Sequence, residues 1–323
     1  MSERILLADP DLREGFVTTL GERLPAGWTR TDEPAGATAV VTENVDVDVA
    51  ALNAQGASIC LVAKLDTGAA TIRPGAARLL EVPNTALTGV AELTVTFILA
   101  LFKDLRRVHD ATRARAWLPD RAEPILTDQR RYTYNWIGIE DFGTLYRKRI
   151  GLVGLGHIGR AVAARLRPFG VRLLYTQRTR LDPAEEDRLG VRFRAFDELL
   201  AEADLISLHH RFHDAPDDAG GNDRQFDAAA FAAMRPGVRF VNTARGRLVD
   251  EQALADALAS GHVASAALDV FRHEPLPDDH PFFSVPPDRL LMTPHIAGAP
   301  IDEAWRLAAD EIIEALGGAP PDA

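Results

Sequence analysis

Residues 149–160 read Arg-Ile-Gly-Leu-Val-Gly-Leu-Gly-His-Ile-Gly-Arg, and no other stretch constrains the chain as strongly. The apolar run 150–153 is the length of a buried parallel strand and too short for a helix. It enters Gly154-Leu155-Gly156-His157-Ile158-Gly159, and a helical pattern follows over 161–166. Strand, glycine turn and helix in that order are the context of a dinucleotide fingerprint. Gly154 allows the tight turn, Gly156 a close approach of backbone to a pyrophosphate, and Gly159 close packing of helix on strand. His157 and Ile158 open the helix, whose free N–H groups and partial positive charge favour phosphate. The plainer alternative is a glycine-rich turn that binds nothing.

A chain of 323 residues has room for two domains, each burying its own core. The net charge of −11 argues against nucleic acid, because phosphate contacts need a basic surface. No apolar run reaches the ~18 residues of a membrane span. Met1-Ser2-Glu3-Arg4-Ile5 lacks the apolar core of a signal peptide, so the expected location is cytoplasmic. Cys60, the only cysteine, sits in an apolar run and is expected to be a buried, inert thiol.

Strand and helix signals alternate through the first hundred residues. Strands are expected over 5–8, 39–41 and 58–62, helices over 11–24 and 47–55, a short helix within 68–80, and an extended segment at 82–85. These βα units predict an α/β domain with a parallel sheet covered on both faces. A long apolar helix over 91–108 would lead into a second domain. Residues 111–148 show no periodicity and carry Trp117, Tyr132, Tyr134 and Trp136, which would either anchor a partner subunit or pack on their own domain. A second βα series places strands at 150–153, 171–175, 205–208, 239–242, 266–270 and 290–293. The closing helix, 302–316, is expected to pack back on the first domain. The expected division is therefore 1–103 with 299–323, and 104–298.

An NAD site usually carries an acid at the end of the second strand, about 20 residues past the glycines, for the ribose 2′-OH. Thr176-Gln177-Arg178-Thr179-Arg180 has none and offers two arginines instead. Their guanidiniums suit a 2′-phosphate, so NADP is the expected cofactor and NAD remains open. Two solvated surface arginines are the alternative. Three later strands each end in residues with chemistry: Arg245 in Asn242-Thr243-Ala244-Arg245-Gly246, Asp269 and Glu274 in the segment 267–275, and His295 in Thr293-Pro294-His295. Ligands bind at the carboxyl ends of the strands in open α/β sheets, so these groups can converge on one pocket.

The glycine fingerprint, Asn-x-x-Arg-Gly, Asp-Val-Phe-x-x-Glu-Pro and Pro-His-x-x-Gly follow one another here as they do in the D-isomer-specific 2-hydroxyacid dehydrogenases, which the chain resembles over nearly its whole length. The resemblance implies a Rossmann coenzyme domain, a discontinuous flavodoxin-like substrate domain and a homodimer. It implies carboxylate binding by Arg245, acid/base work by His295 and a partner role for Glu274. Coenzyme contacts would include Thr67, His210, Thr243, Ala244, Arg245, Asp269, His295 and Gly298. Lys64, Asp66, Thr67 and Gly68, with Arg245, would receive the substrate. The chemistry agrees: reduction of a 2-oxo acid needs a proton at the carbonyl oxygen, which a protonated His295 supplies, and a bidentate hold on the carboxylate.

Some positions depart from the family pattern. Asp66 stands where glycine is usual, Ala70-Thr71 where Asp-Asn is usual, and Arg211 where proline is usual. The segment 209–226 is longer than usual. By resemblance Asp66 lies beside the substrate carboxylate. There an ionised Asp would pair with Lys64, point away from the pocket, or meet a cationic or hydroxylated group of the substrate. The third outcome would disfavour small dicarboxylates and favour polar or amino-bearing 2-oxo acids. His210 and His213 lie close in sequence, but without thiols or a positioned carboxylate no metal is expected. The expected activity is NAD(P)-dependent reduction of a 2-oxo acid to a D-2-hydroxy acid. The alternatives are oxidation of another small anion such as phosphite, and a dinucleotide-sensing, corepressor-like protein. Formate oxidation fits less well, since Glu274 is a carboxylate where those enzymes carry an amide.

Overall fold

The computed structural model describes residues 3–9, 14–43, 45–65, 71–82, 85–140, 142–214, 220–298 and 301–317. In chain order the first elements are β1 (Glu3–Leu7), α1 (Glu14–Arg23), β2 (Trp28–Thr31), β3 (Ala39–Thr42), β4 (Val47–Asp48), α2 (Val49–Ala54), β5 (Leu61–Leu65), β6 (Ile72–Arg73) and β7 (Arg78–Val82). Then come α3 (Thr85–Lys103), α4 (Leu105–Arg113), β8 (Arg149–Val153), α5 (His157–Leu166), β9 (Arg172–Thr176), α6 (Pro183–Leu189), β10 (Val191–Phe193) and α7 (Phe196–Glu202). The last are β11 (Leu205–Leu208), α8 (Ala228–Ala233), β12 (Val238–Asn242), α9 (Glu251–Ser260), β13 (Val263–Leu268), β14 (Leu290–Met292) and α10 (Ile301–Ala315).

The chain divides into two compact units, Met1–Gly89 with Gly298–Ala323, and Val90–Ala297. The first crossing thus lies inside α3 and not at residue 103. The apolar second half of the helix explains this: Phe97, Ile98, Leu101 and Phe102 share a core with Ile150 and Leu152 of β8.

In the first unit a parallel sheet has the order β2-β1-β3-β5-β7, which without the short β4–β6 pair is the flavodoxin-like arrangement. The period-2 alternation of each strand sorts its side chains between two cores. Ile5, Val41 and Ala63 face one core with Phe16 and Leu20 of α1 and Ile312 and Ile313 of α10. Leu6, Val40 and Val62 face the other with Val47, Val49 and Ile59. The expected helix within 68–80 is instead strand, as far as it is described. Pro74 and Gly75 turn the chain, Ala77 N–H bonding Pro74 O at 2.9 Å, and residues 78–82 pair with β5. Thr85 starts α3 and is not extended. Cys60 precedes β5 and is exposed, not buried, with its Sγ 3.2 Å from Thr38 O.

The second unit is an all-parallel sheet of order β10-β9-β8-β11-β12-β13-β14, the Rossmann arrangement with its switch point between β8 and β11. Its strands are buried on both faces and read as near-continuous apolar runs, as parallel strands must. Val153, Ile206 and Phe240 pack with Phe226 and Phe231 on one side, the rings of Phe231 and Phe240 lying 5.3 Å apart. Ile150, Leu152 and Tyr175 pack with α3 and α5 on the other. The expected helix over 91–108 is two helices, because Asp104 takes a left-handed φ of 50° between α3 and α4. Residues 122–140 and 142–148 are irregular, and Trp117 and Trp136 pack edge to face at 6.4 Å while Tyr132 and Tyr134 stay exposed. Among the described residues no helix is long and apolar enough to cross a membrane.

Candidate active site

The glycine turn is built for two different purposes. Gly154 has φ +93°, and a Cβ there would lie 2.8 Å from the backbone N of His210. A Cβ on Gly159 would lie 2.4 Å from Gly154 O. Both glycines therefore serve internal close packing. Gly156 would meet nothing within 4 Å, so its open face admits an outside group to the backbone. No side chain caps the amino end of α5 at His157. Leu155 is held from both sides, its N–H donating to Gln177 Oε1 at 3.1 Å and its carbonyl accepting from Arg160 Nε at 3.0 Å. These residues fit the pyrophosphate of a dinucleotide.

Past β9, buried Thr176 and Gln177 lead to two arginines that are not equivalent. Gln177 is committed to Leu155 and, through Nε2, to Thr179 O at 2.7 Å. Arg180 forms a two-point pair with Glu186 at 2.7 and 3.1 Å and lies over the Phe193 ring. Those Arg180 hydrogen bonds hold the Glu186 carboxyl below the usual range. Arg178 is exposed and forms no ion pair among the described residues. The pair of arginines read from the sequence thus reduces to one available guanidinium.

At the end of β11 two histidines have different surroundings. His210 bonds Gln225 Oε1 through Nε2 at 2.9 Å and approaches Val153 O through Nδ1 at 3.3 Å, and burial pushes its pKa down. Both ring nitrogens of His209 are buried without a partner among the described residues. Burial, with His210 alongside, pushes His209 down to about 3, so it is neutral.

His295 and Glu274 meet. His295 Nδ1 lies 2.6 Å from Glu274 Oε2, while Glu274 Oε1 accepts the Phe271 N–H at 2.9 Å. Burial raises the Glu274 pKa, but the hydrogen bonds from His295 and Phe271 outweigh it and leave the carboxyl below its usual range. Nε2 of His295 has no partner among the described residues. His295 has a left-handed φ of 56°, held by its N–H to Thr293 O at 3.0 Å. Asp269, fully buried, fixes this turn: it accepts from Thr293 Oγ1, from Ile296 N–H at 2.9 Å and from Ala297 N–H at 2.8 Å. Its visible work is therefore to hold the histidine loop. An apolar recess of about 380 Å³ opens beside the pair, lined by Phe271, Pro275, Leu276 and Met292.

Arg245 follows β12 on a turn shaped by Asn242, which accepts from Ala244 N–H and donates to Arg245 O, both at 3.0 Å. The Arg245 side chain is exposed, forms no ion pair among the described residues, and contributes to the lowered Glu274 pKa. Thr243 Oγ1 is buried against Thr94 Oγ1 at 2.8 Å, which ties this turn to α3. Gly246 is required by its neighbours: a Cβ would come within 1.9 Å of Phe271 C.

Lys64 stands near the carboxyl end of β5, and Gly298 opens the second segment of the first unit. Asp66, Thr67 and Gly68 lie outside the described residues. Thr94, Asp223 and Gln225 escaped sequence reasoning. Each acts on a residue far away in the chain, and none carries a local signal.

Residues 95–297 match the family model described as D-isomer specific 2-hydroxyacid dehydrogenase, NAD binding domain. The chain is 33% identical over 327 residues to a D-3-phosphoglycerate dehydrogenase of Mycobacterium leprae, covering 97% of this chain and 56% of that protein. It therefore spans little more than half the length of such mycobacterial relatives. It is 34% identical over 245 residues to a glyoxylate/hydroxypyruvate reductase B of Klebsiella pneumoniae, covering 74% of this chain and 68% of that protein. Among solved structures, the TT0316 protein of Thermus thermophilus is 26% identical, with a TM-score of 0.59 and 98% of each chain covered. The cofactor class is accordingly a nicotinamide dinucleotide. With motif order, both sheet orders and these matches in agreement, the chain belongs to the D-isomer specific 2-hydroxyacid dehydrogenase family.

Proposed function

We propose that this protein is an NADP-preferring oxidoreductase that interconverts a 2-oxo acid and a D-2-hydroxy acid, with His295 as acid/base. The observation that carries the reading is the His295–Glu274 contact at 2.6 Å. It engages Nδ1 and leaves Nε2 as the nitrogen that addresses the substrate. The bound nicotinamide supplies the hydride in reduction and accepts it in oxidation. Imidazolium His295 gives its Nε2 proton to the C2 oxygen of the 2-oxo acid, and the neutral ring takes it back in the reverse direction. Glu274 stabilises the charged ring and fixes its orientation. Arg245, without a carboxylate partner of its own among the described residues, holds the substrate carboxylate.

Gly156, His157 and Ile158 receive the pyrophosphate on a turn that Gly154 and Gly159 pack closed, and Thr176, Gln177 and Arg178 border the adenosine ribose. His210, Thr243, Ala244 and Asp269 shape the rest of the coenzyme site, to which Gly298 is assigned by sequence resemblance. Lys64, Asp66, Thr67 and Gly68 are assigned to substrate by sequence resemblance. The exposed Tyr132 and Tyr134 support a homodimer made through the irregular arm. A single cysteine fits a reducing, cytoplasmic setting. A panel of 2-oxo acids assayed with NADPH and NADH tests the reading. Coenzyme binding without reduction of any member would favour a dinucleotide sensor.

A further inference from the structure

The long segment after β11 contributes only His210, held by Gln225, to the site above, yet elsewhere it reaches two of the loops that carry the chemistry. Its ends are pinned. Asn222 accepts the His213 N–H at 2.7 Å and donates to Arg211 O at 2.8 Å. Beyond it the chain runs beside residues 247–249, Arg224 N–H bonding Arg247 O at 2.8 Å and Phe226 N–H bonding Leu248 O at 3.0 Å. This places Asp223 between two guanidiniums. Its Oδ1 accepts from Arg247 Nε at 3.1 Å and from Arg272 Nη1 at 3.0 Å, and its Oδ2 accepts from Arg272 Nη2 at 3.2 Å.

The positions of these two arginines give the bridge its meaning. Arg247 is two residues after Arg245, and Arg272 is two residues before Glu274. Between them the two loops are in backbone contact at Gly246, whose Cβ would come within 2.2 Å of Phe271 O and 2.4 Å of Arg272 N. Two like charges on touching loops repel unless a carboxylate lies between them. Asp214 meets the other side of Arg247 at 3.1 and 3.3 Å, but it is more exposed and touches only one loop. Glu251 holds only the second loop, accepting the Arg272 N–H at 2.8 Å. Asp223 alone among the described residues forms side-chain ion pairs with both loops.

We infer that Asp223 is a positioning residue, tying the Arg245 loop to the Glu274 loop so that the carboxylate-binding arginine and the acid/base pair keep one register. The inference rests on the proposed roles of Arg245, Glu274 and His295. Removing the carboxylate leaves the Arg272 guanidinium without a carboxylate among the described residues and Arg247 held by the exposed Asp214 alone. The loops then part at the substrate end, while the glycine turn that holds the pyrophosphate, on another strand, is undisturbed.

The test compares the parent with Asp223→Ala and Asp223→Glu in the full chain. Binding of oxamate, a non-reactive 2-oxo acid isostere, is titrated against the NADPH complex by fluorescence, NADPH binding is titrated alone, and kcat and KM are measured where the parent turns over. For Asp223→Ala the expected result is about tenfold weaker oxamate binding and a similarly raised KM for the 2-oxo acid. NADPH affinity should stay within about twofold, and Asp223→Glu should recover most of the loss. Unchanged oxamate affinity in a folded Asp223→Ala would overturn the inference, as would equal losses for oxamate and NADPH. If Asp223→Ala does not fold, Asp223→Asn is read in the same way. A parent that binds oxamate but reduces no 2-oxo acid overturns the proposed function and leaves the oxamate comparison to decide the role of Asp223.

Discussion

Glu274 bonds in two directions at once: one oxygen meets His295 Nδ1 at 2.6 Å, and the other accepts the Phe271 N–H of its own loop at 2.9 Å. The two bonds separate the charge of Glu274 from its shape. Glutamine keeps an oxygen for Phe271 and loses the negative charge beside the imidazole. Glu274→Gln should therefore fold normally and lower kcat of reduction by about tenfold, the lower end for a hydrogen bond to a charged group, because His295 Nδ1 loses its charged partner. Steady-state kinetics with NADPH binding titrated alongside checks this, with NADPH affinity expected to stay parental. A parental kcat would show that Glu274 does not assist the acid.

Arg178 and Arg180 make opposite predictions. Arg178 is exposed and unpaired among the described residues, whereas Arg180 is committed to Glu186 at 2.7 and 3.1 Å. Arg178→Ala should weaken NADPH by about tenfold, the lower end for a hydrogen bond to a charged group, and leave NADH nearly unaffected. Arg180→Ala should change both affinities little. Equal loss of both coenzymes in Arg178→Ala, or a parent that prefers NADH, would contradict the assignment.

The coenzyme turn was legible from sequence because its signal is local: strand, three spaced glycines and helix lie within twelve consecutive residues. The parallel sheets followed from the alternation of apolar runs with helical patterns, and their flavodoxin-like and Rossmann arrangements from the family resemblance. Three features were not legible. Residues 72–82 mimic a helical repeat through Ile72, Leu79 and Leu80, and only the Pro74-Gly75 turn and pairing to β5 reveal strands. Cys60 has apolar neighbours, yet it precedes its strand and is exposed. The Asp223 bridge joins residues 24 and 49 positions apart, a distance over which periodicity carries no information.

Asp269 is the joint of the histidine loop. It satisfies the N–H groups of Ile296 and Ala297 and the hydroxyl of Thr293 from a fully buried position. Asp269→Ala leaves those donors without an acceptor, at about 1–3 kcal/mol for each group that water cannot reach. Thermal unfolding should show a lowered midpoint, and kcat should fall more steeply than NADPH affinity. A variant with parental midpoint and turnover would remove Asp269 from this role.

His209 gives the fold a pH dependence of defined sign. Its pKa is about 3 when folded, against about 6.5 for an unperturbed imidazole, so the unfolded chain binds the extra proton. Its contribution to stability is complete above about pH 6.5 and is lost as pH falls toward 3. Between pH 6 and 5, urea unfolding of the parent should lose up to about 1.4 kcal/mol per pH unit more than unfolding of His209→Phe. Parallel slopes for the two proteins would mean that His209 is hydrated or paired in solution.

The most direct measurement is steady-state reduction of a 2-oxo acid panel by the parent and by His295→Ala, with NADPH binding titrated for both. The panel runs from glyoxylate and pyruvate through branched and aromatic members to amino-bearing acids and oxaloacetate. The account predicts turnover of at least one member by the parent, a loss of about 10²–10⁴-fold in His295→Ala, and equal NADPH affinity for the two proteins. Turnover by His295→Ala at the parental rate, or NADPH binding by a parent that reduces no member of the panel, would contradict it.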